Sequence, residues 1–285
     1  MTKNSDYIQI INEATTSLKD KIDWDSITQK PKIALVLGSG LGKFADDLKD
    51  KKIVSFEDIT HFPPSGVPGH AGRWVYGLTE NNIPVLVAQG RYHFYEGHDL
   101  KIITLPIRVM KELGIEHVVL TNAAGTANPD FHAGDFMLID DHINFIGHSP
   151  LNGVADERLG PMFVDQSDLY IKKNNDALYA LCQEKHADIP VCRGVYCCSM
   201  GPQYESAAEV KMFGQLGADA LGMSTVPEAI VARQAGIKVN GITCLTNYGT
   251  GLSDQPLNHE EVSEMGKKRA PQFMILVNEM VKLLS

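Results

Sequence analysis

The chain has 285 residues, 44% of them hydrophobic, and a formal net charge of −9 at pH 7, so it can bury a large core. The acidic balance, with no run of five or more basic residues, argues against binding a nucleic-acid backbone or an anionic membrane surface, and any phosphate site has to be local. The N-terminal MTKNSDYIQIINEATTSL has no continuous apolar segment, and no apolar run approaches the ~18 residues of a membrane span, so a cytoplasmic protein without a membrane partner is expected. In chain order, the pattern predicts a helix over 6–22, a strand over 32–37 and a helix over 41–49. Strands follow over 74–78 and 83–90, a helix over 100–113, and strands over 117–122 and 135–139. The second half predicts helices over 167–186, 206–216, 226–235 and 259–284, with strands over 194–200, 218–224 and 237–247. Such alternation predicts an α/β fold: a single domain over 1–285, including an N-terminal helical segment over 1–29, with a central mixed, mainly parallel twisted β-sheet flanked by helices.

Two long irregular stretches, 60–73 and 147–166, interrupt the alternation, and loops of that length in a compact domain are usually functional or mobile. Pro271 lies inside the last helical pattern and predicts a kink or a break, since proline costs a helix interior ~3 kcal/mol and removes a backbone bond. The five cysteines, Cys182, Cys192, Cys197, Cys198 and Cys244, are odd in number and show no C-x-x-C spacing, which reads as buried reduced thiols.

The first strand runs into VLGSGLGK. A dinucleotide fingerprint needs a sixth-position glycine where Lys43 stands, and a P-loop needs a Gly-Lys-Ser/Thr that is missing. What is left is either a tight structural turn or a Gly-rich strand-to-helix turn with Ser39 at its apex, able to hold a single anion. In QGRYHFYEGH, Arg91, His93 and Tyr95 alternate after a strand, so an extended chain would bring a guanidinium, an imidazole and a phenol out on one side. Arginine suits phosphate through its planar fork; the alternative is that the two rings are ordinary partly buried polar aromatics. Three helix starts carry capping spacing: Ser206 with Glu209, Thr225 with Glu228, and Asn258 with Glu261. They leave Glu205, Met223, Ser224 and His259 beside strand ends and helix N-termini, where open α/β sheets place their ligands. LIDDHINF brings Asp140, Asp141 and His142 together, which could suggest a metal cluster, but neighbours on a strand point to opposite faces, so at best Asp140 and His142 cooperate.

In order and spacing, VLGSGLG, VPGHAGR, QGRYHFYEGH, LTNAAGTANP, GPQYESAAE, GADALGMSTVPEAIVAR, LTNYGTGLSD and NHEEV resemble the trimeric class of purine nucleoside phosphorylases, over residues 30 to 283. The resemblance implies a nucleoside-phosphorylase-like fold and the reversible phosphorolysis of purine ribo- and deoxyribonucleosides to free base and sugar 1-phosphate. It implies small-molecule partners only, purine nucleoside and phosphate, with no cofactor, no metal and a homotrimer. Phosphate would be held by Ser39, His70, Arg91, His93, the backbone N–H of Ala123, and Ser224. The base would meet Ala124, Gly125, Tyr204, Glu205 and Asn247, and the ribose Tyr95, Met223, His259 and Phe163 of a neighbouring subunit. Asn247, Glu205 and His93 are the expected catalytic residues.

The chemistry at these positions is coherent. Phosphate dianion is already a nucleophile and needs no protein base, whereas the departing purine needs its developing charge stabilised. An Asn amide can accept from a protonated N7 and donate to O6, and Glu205 can accept from an N1–H that hypoxanthine and guanine carry but neutral adenine lacks. The pair predicts 6-oxopurines, with discrimination that could reach ~10⁴-fold. Tyr204 stands where some relatives have Phe. The segment over 247–255 is closer to bacterial members of the class, including those that accept xanthosine, which joins inosine and guanosine as a substrate to test. Methylthioadenosine phosphorylase would call for an Asp near 247 and lack the Glu at 205; a non-catalytic nucleoside-binding protein would have no need to keep Ser39, Arg91, His93 and Ser224 together.

Overall fold

The computed structural model describes residues 4–38, 40–64, 66, 71–253 and 258–285, with only the backbone of Asn4 and His259. Its helices are α1 (Asn4–Lys21), α2 (Lys43–Asp46), α3 (Leu100–Glu112), α4 (Lys172–Lys185), α5 (Ala207–Gln215), α6 (Val226–Gln234) and α7 (His259–Leu284). Its strands are β1 (Ile33–Leu37), β2 (Lys49–Ser55), β3 (Arg73–Leu78), β4 (Pro84–Gln89), β5 (His117–Thr126), β6 (Phe136–Asn144), β7 (Val191–Cys198), β8 (Ala220–Gly222) and β9 (Lys238–Tyr248). They form one mixed sheet in the order β2-β3-β4-β1-β5-β8-β7-β6-β9. Because β9 also pairs in parallel with β5, the strands β5, β8, β7, β6 and β9 close on themselves.

Strand alternation sorts the core into two layers. In β1, Ala34 and Val36 pack with α1, α3 and α6, whereas Ile33, Leu35 and Leu37 pack with α2, α4 and α7. The strand is therefore apolar at every position, as one covered on both faces must be. A smaller cluster, with Val210 and Phe213 of α5 against Cys197 and Leu221, covers the remaining side.

Several elements differ from the expected boundaries. The helix expected over 41–49 stops at Asp46, and the lysine-rich KDKKIVS that follows is an edge strand, β2, antiparallel to β3. Charged side chains are a common guard on an exposed sheet edge, and they hide the strand from a search for apolar runs. The break expected at Pro271 is absent: α7 runs unbroken from His259 to Leu284. Pro271 is exposed, as is Lys267 one turn earlier, so water can serve the carbonyl that proline leaves unpaired. Phe273, Leu276, Val277, Met280 and Val281 bury the opposite face. The five cysteines are free, four of them buried.

Asp140 and His142 do not cooperate. Asp140 is the extra residue of a bulge in the β6–β7 pairing; its carboxylate accepts from Arg193 Nε and Nη2 at 2.7 and 2.9 Å and from Asn175 Nδ2 at 2.9 Å. His142 Nδ1 instead lies 3.2 Å from Tyr170 Oη. Among the described residues no cluster of three or more His, Cys, Asp or Glu is placed to hold a metal ion, and no helix is long and apolar enough to cross a membrane.

Candidate active site

The site grows out of a gap in the sheet. Residues 117–120 of β5 pair with β1, and Gly125 and Thr126 pair with β8, so between them β5 has β9 on one side and neither β1 nor β8 on the other. A crevice at the carboxyl ends of strands, where connections diverge, is where α/β sheets bind ligands. A cavity opens there, with Asn122, Ala123, Ala124 and Gly125 in its wall.

Arg91 and His93 enter directly from the end of β4. The extended run expected from Arg91 to Tyr95 stops at His93, where Phe94–Glu96 form a short 3-10 turn. The turn nonetheless brings the two rings together, stacked at 4.7 Å and 14°, and Arg91, His93 and Tyr95 all line the cavity. Glu96 orients His93: its Oε1 accepts from the His93 backbone N–H at 2.7 Å and lies 3.0 Å from Nδ1. Burial pushes the His93 imidazole below its usual pKa, against the pull of Glu96. Arg91 is 2% exposed; its Nη1 donates to the Thr121 carbonyl and its Nε contacts Glu228 at 3.1 Å.

Beside them, β8 delivers Gly222, Met223 and Ser224 to the cavity just before α6 begins. Gly222 is required, because a Cβ there would lie 2.2 Å from the hydroxyl of buried Tyr196, the oxygen that accepts from the Ser224 N–H at 3.4 Å. Thr225, the N-cap of α6, holds φ at 71°, a conformation that costs a side-chain-bearing residue ~1–3 kcal/mol. Asn122 Nδ2 donates to its hydroxyl at 2.9 Å. The positive end of α6 thus faces the cavity beside Ser224, a setting that favours an anion.

The third wall carries Tyr204, Glu205 and Asn247. The capping box on α5 forms as expected, with Glu209 accepting from the Ser206 N–H at 2.7 Å, and Glu205 stands outside it, its Oε1 accepting from Ser199 Oγ at 2.7 Å. Asn247 owes its position to a bulge. Ala124 pairs with Leu245 and Gly125 with Asn247, leaving Thr246 as an extra residue in β9. Bulges re-aim side chains, and here Thr246 and Asn247, neighbours in sequence, both line the cavity. Thr246 Oγ1 donates to Asn247 Oδ1 at 2.9 Å and Asn247 Nδ2 donates to the Tyr248 carbonyl at 3.1 Å, so the amide is held at both ends.

Of the residues singled out in the sequence, Arg91, His93, Tyr95, Ala123, Ala124, Gly125, Tyr204, Glu205, Met223, Ser224 and Asn247 share this cavity. Ser39, His70 and the side chain of His259 lie outside the described residues. Phe163 is not part of this chain's cavity wall and is 86% exposed. Gly38, Asn122, Thr246 and Val262 also line the cavity. All four sit inside quoted motifs, but nothing in the spacing singles any of them out.

Residues 32–282 match the profile of the phosphorylase superfamily. The chain is 45% identical to purine nucleoside phosphorylase 1 of Bacillus subtilis over 270 residues, covering 93% of this chain and 98% of that protein. Crystal structures of Schistosoma mansoni purine nucleoside phosphorylase superpose closely. The complex with adenosine gives a TM-score of 0.88 at 34% identity, covering 98% of both chains. The complex with inosine gives 0.87 at 33% identity, covering 96% of both. With matches that run nearly end to end, this chain belongs to the phosphorylase superfamily and, within it, to the purine nucleoside phosphorylases, a family of enzymes.

Proposed function

We propose that the chain catalyses the reversible phosphorolysis of purine ribo- and deoxyribonucleosides with a preference for 6-oxopurines, releasing the free base and the sugar 1-phosphate. The observation that carries this reading is the gathering of two chemically distinct sets of side chains in one cavity: Arg91, His93 and Ser224, and Glu205 and Asn247. In the proposed reaction, phosphate sits against Arg91, His93, Ser224 and the Ala123 backbone, with Ser39 and His70 completing its cradle. It attacks C1′ of the ribose while the C1′–N9 bond breaks and the bonding pair passes to the purine. Asn247 accepts from the protonated N7 and donates to O6, and Glu205 accepts from N1–H. Tyr95, Met223 and His259 hold the sugar, and Tyr204 stacks beside it. No cofactor or metal takes part.

Phe163 belongs, in this reading, to the site of a neighbouring subunit in a homotrimer, which fits an aromatic ring exposed in the single chain. Phe163→Ala should raise KM for inosine by about tenfold with Tm unchanged, and sedimentation should give a trimer; a monomer with full activity would remove the shared site.

The deciding measurement is release of hypoxanthine from inosine with and without inorganic phosphate, with adenosine and xanthosine in parallel. The Schistosoma mansoni structures hold adenosine as well as inosine, so the ratio of kcat/KM values, rather than occupancy, separates the bases. Phosphate-dependent cleavage of inosine at least about a hundredfold above adenosine is expected. Cleavage of adenosine or methylthioadenosine instead would overturn the assignment of Glu205 and Asn247, and no cleavage of any nucleoside would favour a binding protein.

A further inference from the structure

One buried carboxylate behind the cavity wall has no part in the reaction above. Glu228, in the first turn of α6, is 2% exposed. Both of its oxygens lie on Arg91 Nε, at 3.2 and 3.1 Å, and Oε2 also accepts from the Thr225 backbone N–H at 3.1 Å. A capping-box Glu needs no charged partner to do its work, and burying it would be costly unless its charge were met. Here it is met by the Arg91 guanidinium, which lines the cavity and lies 137 residues away in sequence.

The consequence is mechanical as well as electrostatic. Glu228 takes Nε and the Thr121 carbonyl takes Nη1, which fixes the plane of a group whose value to a phosphate lies in its planar fork. Through Thr225, whose hydroxyl lies 3.1 Å from Ser224 Oγ, the same carboxylate fixes the turn that carries Ser224. We propose that Glu228 is the positioning residue of the phosphate site, locking Arg91 and the Ser224–Thr225 turn into one unit. The proposal rests on the phosphate assignment made above.

Glu228→Gln keeps the side chain's size and an oxygen for the Thr225 N–H, but sets an amide beside Arg91. Inorganic phosphate titrated calorimetrically should bind the variant at least about tenfold more weakly than the wild type. KM for phosphate should rise to match, while KM for inosine stays within about threefold. In an Arg91→Met background the Glu228→Gln change should add little, because Glu228 acts through Arg91. Phosphate binding that is unchanged or tighter in Glu228→Gln, or a full second loss in the double variant, would overturn the proposal. Should Glu228→Gln fail to fold, Glu228→Asp is read in the same way: its carboxylate is one methylene too short to reach both partners, so wild-type phosphate affinity in that variant would also overturn it. A wild type that releases no hypoxanthine with phosphate would instead sink the proposed reaction, because Glu228 is judged on phosphate binding alone.

Discussion

Gly125 and Asn247 face each other across the β5–β9 pair, and their contact sets how much space the base-side amide has. A Cβ on Gly125 would lie 2.8 Å from Asn247 Nδ2, too close for the side chain to stay, yet the obstacle is the end of a movable group rather than backbone. Gly125→Ala should therefore fold with a near-normal Tm and lose activity as Asn247→Ala does, by about 10²–10³ in kcat. KM for phosphate should stay within about twofold in both variants. Wild-type turnover in Gly125→Ala would mean that the amide works from elsewhere. At this scale the sequence is partly transparent. Spacing alone brings out Arg91, His93 and Tyr95, and capping logic separates Glu205 from Ser206. The same logic accounts for Glu228 as a cap and so conceals its ion pair, since no local pattern reports a partner on another element.

Among the elements, α7 offers the sharpest test. Pro271 is exposed in an unbroken helix, so Pro271→Ala restores a backbone donor without disturbing the buried face. It should raise stability by about 1–3 kcal/mol in urea unfolding; a loss would show that the ring itself packs usefully. The long apolar strands and amphipathic helices are legible because burial on both faces writes itself as continuous hydrophobicity. What is illegible follows from two causes. An edge strand such as β2 is guarded by lysines and looks like a loop, and a bulge such as the one at Thr246 changes which way side chains point without changing composition.

For the whole molecule, pH acts through one buried histidine, His93, and two half-buried ones, His117 and His142. Burial lowers the pKa of His93 and of His142, and burial together with Lys238 lowers that of His117. Below ~6.5 the unfolded chain takes up protons that these folded sites refuse. The unfolded state then binds more protons, stability falls as pH falls, and the loss levels off once pH passes below the folded values. Calorimetry should give a lower Tm at pH 5.5 than at pH 7.5, and His142→Gln should narrow the difference; equal Tm values would mean that the imidazoles reach solvent when folded.

The closure of β9 onto β5 has a dynamic consequence. β5 is hydrogen-bonded to β9 along its whole length, to β1 at its start and to β8 at its end, so it is anchored at both ends and open on one side only at residues 121–124. The amide protons it commits to these ladders should exchange with solvent only when the entire chain unfolds. The backbone of Ala123, proposed to meet the phosphate, would then sit on the slowest-exchanging segment of the protein, and ligand-linked motion would be left to the loops around it.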